Sequence, residues 1–153
     1  MRALVVASCL ALLAFPALAE PWVISGQTSL VANTSVDDPT PADAGAIGQV
    51  TELPYVVPAG KVVCIKAYGM EGYDSPGIAV IFVWTGNPAT VTPQWRMSHG
   101  LPSAAASNGS QEITGLNHCF PEGTYIHVRL INGQAYSGVY GWYVTGEISD
   151  AGF

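Results

Sequence analysis

Three histidines, eleven carboxylates, three cysteines and a scatter of serines are the side chains here that could attack, transfer protons or hold a metal. Attack by serine needs a base within reach, and in many hydrolases the sharp G-x-S-x-G turn that exposes the hydroxyl. Ser25, Ser75, Ser98, Ser107 and Ser137 all lack those flanking glycines. Ser98 stands beside His99, but neighbours on a strand point to opposite faces, which separates nucleophile from base. A transition metal asks for imidazoles on one face. No pair among His99, His118 and His127 has the i, i+2 or i, i+4 spacing that provides it. Asp37, Asp38 and Asp43 crowd one stretch without the alternating ligand pattern of a calcium loop. They read as a solvated acidic loop, and neither a metal nor any other cofactor is expected.

Aromatic residues carry a more usable signal, because Tyr and Trp offer a flat apolar face with a polar rim, suited to stacking on a sugar or packing against a protein. Tyr136 to Tyr143 reads Tyr-Ser-Gly-Val-Tyr-Gly-Trp-Tyr, and a second cluster reads Trp95-Arg96-Met97-Ser98-His99. If Trp142, Val144 and Ile148 face a core, strand alternation puts Tyr143 on the opposite face. Tyr136 lies among Gly and Ser residues, which seldom bury a ring. Trp95, His99, Tyr136 and Tyr143 therefore form the candidate binding face. The competing reading is that Trp22, Trp84, Trp142 and Trp95 fill a core that has few leucines.

The elements that position these residues follow from the chain's punctuation. Arg2, the uncharged run Ala3 to Phe15, the helix-ending Pro16 and the small residues Ala17-Leu18-Ala19 form a secretory leader, with cleavage expected after Ala19. Residues 20–153 are then one domain, large enough to bury its own core. Arg2 leaves with the leader, so four basic side chains (Lys61, Lys66, Arg96, Arg129) face all eleven acidic ones, a net charge of −7. So few cations offer no footprint for a phosphate backbone, which excludes nucleic acid, and the polar run after Glu20 excludes membrane insertion after cleavage. Cys9 falls in the leader. Cys64 and Cys119 are left as one disulfide in an oxidising compartment, with no C-x-x-C spacing for redox work.

Low charge with abundant Gly, Pro, Thr and aromatic residues is a β-rich composition. Strands are expected at Trp22–Val31, Val50–Tyr55, Lys61–Tyr68, Ile78–Thr85, Val91–Met97, Gln111–Thr114, Thr124–Ile131 and Val139–Ile148, and residues 33–48 are expected as a mobile surface loop or arm. In Tyr125 to Leu130, Ile126, Val128 and Leu130 face a core while Tyr125, His127 and Arg129 face out, His127 as an exposed strand residue. Ile78 to Trp84 is apolar on both faces and reads as a central strand. Val57-Pro58-Ala59-Gly60-Lys61 before Val63, Ile65 and Ala67 echoes Phe120-Pro121-Glu122-Gly123-Thr124 before Ile126, Val128 and Leu130, two Pro-x-Gly turns that each launch a strand. The fold expected is a single antiparallel β-sandwich, jelly-roll-like or immunoglobulin-like, with one disulfide; a small closed barrel is the alternative.

This pattern is that of a non-catalytic binding or interaction module, secreted or periplasmic, which recognises a glycan or a protein surface through loops and exposed aromatics. Two alternatives stand beside it. One is a small envelope hydrolase whose site assembles from distant residues. The other is a structural subunit of a homo-oligomer.

Overall fold

In Tyr125 to Leu130 the alternation of apolar and polar side chains does what its period demands: Ile126, Val128 and Leu130 are fully buried on one side of the strand. A computed structural model describes residues 19–42, 45, 47–73, 79–86, 95–100 and 108–152, with the backbone alone at 73, 79, 82, 95–100, 108, 109 and 111. The leader up to residue 18 lies outside the described residues. Among the described residues ten strands form: β1 Glu20–Leu30, β2 Thr34–Asp37, β3 Tyr55–Val56, β4 Lys61–Tyr73, β5 Ala79–Thr85, β6 Trp95–Gly100, β7 Asn108–Ile113, β8 His118–Pro121, β9 Tyr125–Asn132 and β10 Gly138–Asp150. All ten pair antiparallel, and no helix occurs among the described residues.

Two sheets result. The front sheet has the order β1-β10-β4-β7 with β8 also on β4, and the back sheet has the order β2-β9-β5-β6 with β3 also on β9. The pairs are nested along the chain: β1 with β10, β2 with β9, β4 with β7 and β5 with β6, alternating between the sheets. A long antiparallel ribbon wound this way is a jelly roll, so of the two sandwich types expected, this is the one that forms. No described ladder joins the sheets into a barrel. Trp22, Ile24, Tyr68, Tyr140, Trp142 and Val144 of the front sheet meet Ile81, Val83, Ile126, Val128 and Leu130 of the back sheet in one core. β5 lies inside the back sheet between β9 and β6, the central position expected for it.

β4 changes phase partway along. Thr145 of β10 lies opposite Ala67 and the next residue, Gly146, opposite Ile65, which leaves Lys66 as an extra residue. Such a bulge turns the strand by one position. Val63 and Ile65 point inward before it, Tyr68 and Met70 after it. The expectation that Ala67 continues the inward face is thus corrected. Leu116 N donates to the Lys66 carbonyl at 3.0 Å, outside the β4 ladder.

Three further corrections concern segments with weak alternation. Within 33–48, residues Thr34–Asp37 form β2 against β9, Asp38 N donates to Val128 O, and Ala42 N donates to Ser25 O. That stretch is therefore part strand and laced to both sheets, where a loop or arm was expected throughout. The expected strand Val50–Tyr55 is reduced to Tyr55–Val56, since Pro54 has no N–H to continue a ladder. β8 forms where only a turn was expected, and it sets Cys119 directly opposite Cys64 in the bonded disulfide. The two Pro-x-Gly turns carry Gly60 and Gly123 at φ 72° and 75°, the left-handed conformation glycine tolerates. They lie side by side, joined by Val57 N to Thr124 O and Gly123 N to Val57 O.

Candidate functional site

On the outer face of the front sheet, the register lines up two rows of side chains across four strands. One row is Ser25 on β1, Tyr143 on β10, Gly69 on β4 and Glu112 on β7. The next is Gln27, Gly141, Glu71 and Ser110 on the same strands. Each row pairs one large side chain with one glycine, and the large residue lies over the glycine. A Cβ at Gly69 would fall 2.6 Å from the Tyr143 hydroxyl and 2.7 Å from its ring. One at Gly141 would fall 2.7 Å from a Glu71 carboxylate oxygen and 2.8 Å from its Cγ. The Tyr143 ring therefore rests against the sheet instead of standing off it. Above it is a groove of about 670 Å³ lined by Ser25, Gln27, Glu71, Ser110, Glu112 and Tyr143, with Ala42 of the 38–42 crossing at its rim.

The polar lining of this groove is two carboxylates and a phenol beside an amide and two hydroxyls, which both donate and accept. Burial first, then a hydrogen bond from the phenol to Glu112, then the charges of Glu112 and Glu71 push Tyr143 well above the ordinary phenol range. Lys66 is engaged further along the same sheet by Asn117 at 2.7 Å and Glu147 at 3.4 Å. Lys61 pairs with Asp150, and Arg129 with Asp37. Among the described residues, no group of three or more His, Cys, Asp or Glu is placed to hold a metal.

Of the four residues expected to share a binding face, Tyr143 and Tyr136 are described with their side chains, and only Tyr143 lines the groove. Tyr143 is half-buried and lines the groove. Tyr136 is 66% exposed at the β9–β10 turn, with its carbonyl held by Asn132 Nδ2 at 2.8 Å, and it does not line the groove. Trp95 and His99 are on β6 of the back sheet, where the description covers their backbone only. Gly69, Glu71, Glu112, Gln27 and Ser110 were missed. The signal for the first two was in Tyr68-Gly69-Met70-Glu71-Gly72, a clean alternation of large apolar with small or polar residues.

On the outer face of the back sheet the described side chains pack closely around His127. His127 does point away from the inter-sheet core as its register requires, yet it is only 2% exposed, which corrects its reading as an exposed residue. The cause is what packs over it: the ring stacks on Trp84 at 3.9 Å between centroids and 7° between planes. Nδ1 lies 2.8 Å from Asp38 Oδ2, and Nε2 lies 3.2 Å from the Gly86 carbonyl. A carbonyl only accepts, so Nε2 carries a hydrogen. The other Asp38 oxygen accepts from Val128 N. Trp84 is buried here and not in the core between the sheets, where Trp22 and Trp142 lie.

No helix among the described residues is long and apolar enough to cross a membrane. No protein-family model matches the chain, and no curated protein is significantly similar to it.

Proposed function

We propose that this protein is an exported, non-catalytic module that holds a glycan in the groove on the outer face of the front sheet. The observation that carries the reading is the Tyr143 ring laid flat over Gly69, with two carboxylates, an amide and two hydroxyls around it. A flat aromatic face takes the C–H face of a pyranose, and a ring of acceptors takes its hydroxyl protons. Export is supported by the disulfide and by the leader: the expected cut after Ala19 starts the mature chain at Glu20, the first residue of β1, opposite Ile148.

The test is a glycan array followed by calorimetric titration of the hits with the mature protein and with Tyr143→Ala. Loss of about 1 to 3 kcal/mol of binding with the fold retained is the expected result. No hit on the array, or a folded Tyr143→Ala protein that binds as before, removes the reading. A second reading has one specific observation in its favour: Glu71 and Glu112 occupy diagonal positions on adjacent strands, and glycosidases work with two carboxylates. Release of new reducing ends from a bound polysaccharide, lost in Glu112→Gln, would establish that activity in place of simple binding.

A further inference from the structure

Resting on the glycan reading, we infer that the groove takes three consecutive sugar units lying across the strands, so that its ligand is an oligosaccharide or a stretch of a polysaccharide and not a single sugar. The lining is longer across the sheet than along it. It runs from Ser25 and Gln27 on β1, over β10 and β4, to Ser110 and Glu112 on β7. Three strand spacings separate those ends, about 14 Å, whereas Ser25 to Gln27 covers about 7 Å along a strand. A unit within a sugar chain covers about one strand spacing, so three fit between β1 and β7 in single file. The Tyr143 ring marks the middle, because it belongs to β10 and lies over Gly69 of β4, the two inner strands. Hydrogen bonds reach about 3 Å between heavy atoms. One sugar centred on the ring therefore cannot serve both ends, and the polar groups there fall to the units on either side. The β1 end is built in advance. Ala42 N donates to the Ser25 carbonyl at 2.8 Å, and Gln49 Nε2 donates to the Ala42 carbonyl at 2.9 Å, with Ser25 Oγ 3.4 Å from the same nitrogen. The rim beside Ser25 is thereby fixed, and a unit that enters there has little backbone left to order. The groove volume of about 670 Å³ suits a ligand of this size, since sites of roughly 300 to 1,000 Å³ hold molecules as large as a trisaccharide.

Chain-length series give the test: cello-, xylo-, malto-, laminari- and chito-oligosaccharides, each from the monosaccharide to the hexasaccharide, titrated into the mature protein by calorimetry, or by NMR for the weakest. In a series that binds, affinity should rise by about tenfold with each unit up to the trisaccharide, as each flanking unit adds one or two hydrogen bonds. Beyond it the gain should be no more than the extra registers open to a longer chain supply. Gln27→Ala at one end and Ser110→Ala at the other, both exposed, should each lower trisaccharide affinity by about two- to tenfold and leave monosaccharide affinity unchanged. Affinity that levels off at one or two units, that keeps climbing in tenfold steps past three, or that the end variants weaken alike at every length overturns the three-unit assignment and leaves the glycan reading standing. Absence of binding in every series overturns both. Should an end variant fail to fold, the series on the unaltered protein decides the question by itself.

Discussion

The outer faces of the two sheets solve one problem in opposite ways. Each must place polar side chains where strand alternation turns them away from the core. On the back sheet the chain covers its own polar groups: Asp38 and Gly86 occupy both nitrogens of His127, Trp84 stacks on its ring, and Asp37 takes Arg129. On the front sheet two glycines keep the surface low, so that Tyr143 and Glu71 lie flat and a groove stays open above them. A polar group saturated by its own chain holds the fold. One that borders unfilled volume is open to a ligand, and this difference separates His127, which the sequence read as an exposed strand residue, from Tyr143.

The largest expected effect tests a support outside both faces' networks. Cys64 and Cys119 close a loop with a sequence separation of 55, and replacing both with alanine should lower unfolding free energy by about 4 kcal/mol on chain-entropy grounds. Glycan affinity of the folded fraction should be unchanged, since the bridge joins β4 to β8 beyond the groove lining. Denaturant unfolding under non-reducing conditions measures the first, and a drop below about 1 kcal/mol would show that the loop is held closed without the bridge.

His127→Ala comes next. It removes the stack on Trp84 and leaves the Asp38 carboxylate, itself about 20% exposed, without its ring partner. Breaking one side of such a pair should destabilise by about 2 to 4 kcal/mol, less than for a fully buried ion pair because Asp38 can reach water. Binding in the front groove should not change. A neutral effect on stability would erase the contrast between the two faces.

Gly69→Ala reverses that pattern. The added methyl must displace the Tyr143 ring, which is free to swing outward, so stability should change by about 1 kcal/mol or less while glycan affinity falls about tenfold. Calorimetry beside thermal melts separates the two. A stability loss with affinity intact would mean that the flat ring serves packing alone.

What was legible in the sequence follows the same division. Alternation in Tyr125 to Leu130 and in Tyr140 to Val144 set the inward faces of β9 and β10, and with them the outward position of Tyr143. The even count of mature cysteines indicated the bridge. The groove was not legible, because it is made of pairing: Gly69 matters only through Tyr143 opposite it, and register across strands is a long-range property that a single sequence does not display. The bulge at Lys66 hid it further by inverting the phase of β4 relative to Val63 and Ile65, so the inward face set by those two does not carry over to Gly69 and Glu71. The burial of His127 was missed for a related reason, since Asp38 reaches it from 89 residues away.

The smallest expected effect concerns the Tyr143 phenol, raised above its ordinary value of 10.0 first by burial, then by the hydrogen bond to Glu112 and the charges of Glu112 and Glu71. In the unfolded chain this phenol loses its proton near its ordinary value, while the folded protein keeps it to higher pH. Above about pH 10 the unfolded state therefore binds fewer protons than the native state, and unfolding free energy falls as pH rises. Well below that pH both states are protonated and the group contributes no slope. Tyr55 and Tyr68 are also raised, chiefly by burial, and Lys61 by its bond to Asp150, so each adds to the alkaline loss on its own account. Tyr143→Phe removes only the groove's share. Denaturant unfolding between about pH 8 and 11 should thus show a shallower decline in Tyr143→Phe than in the native protein, with the curves parallel below about pH 9. Identical slopes would mean that the folded protein does not hold this phenol above its ordinary range, and that the ring is neither buried nor set beside the carboxylates as the groove requires.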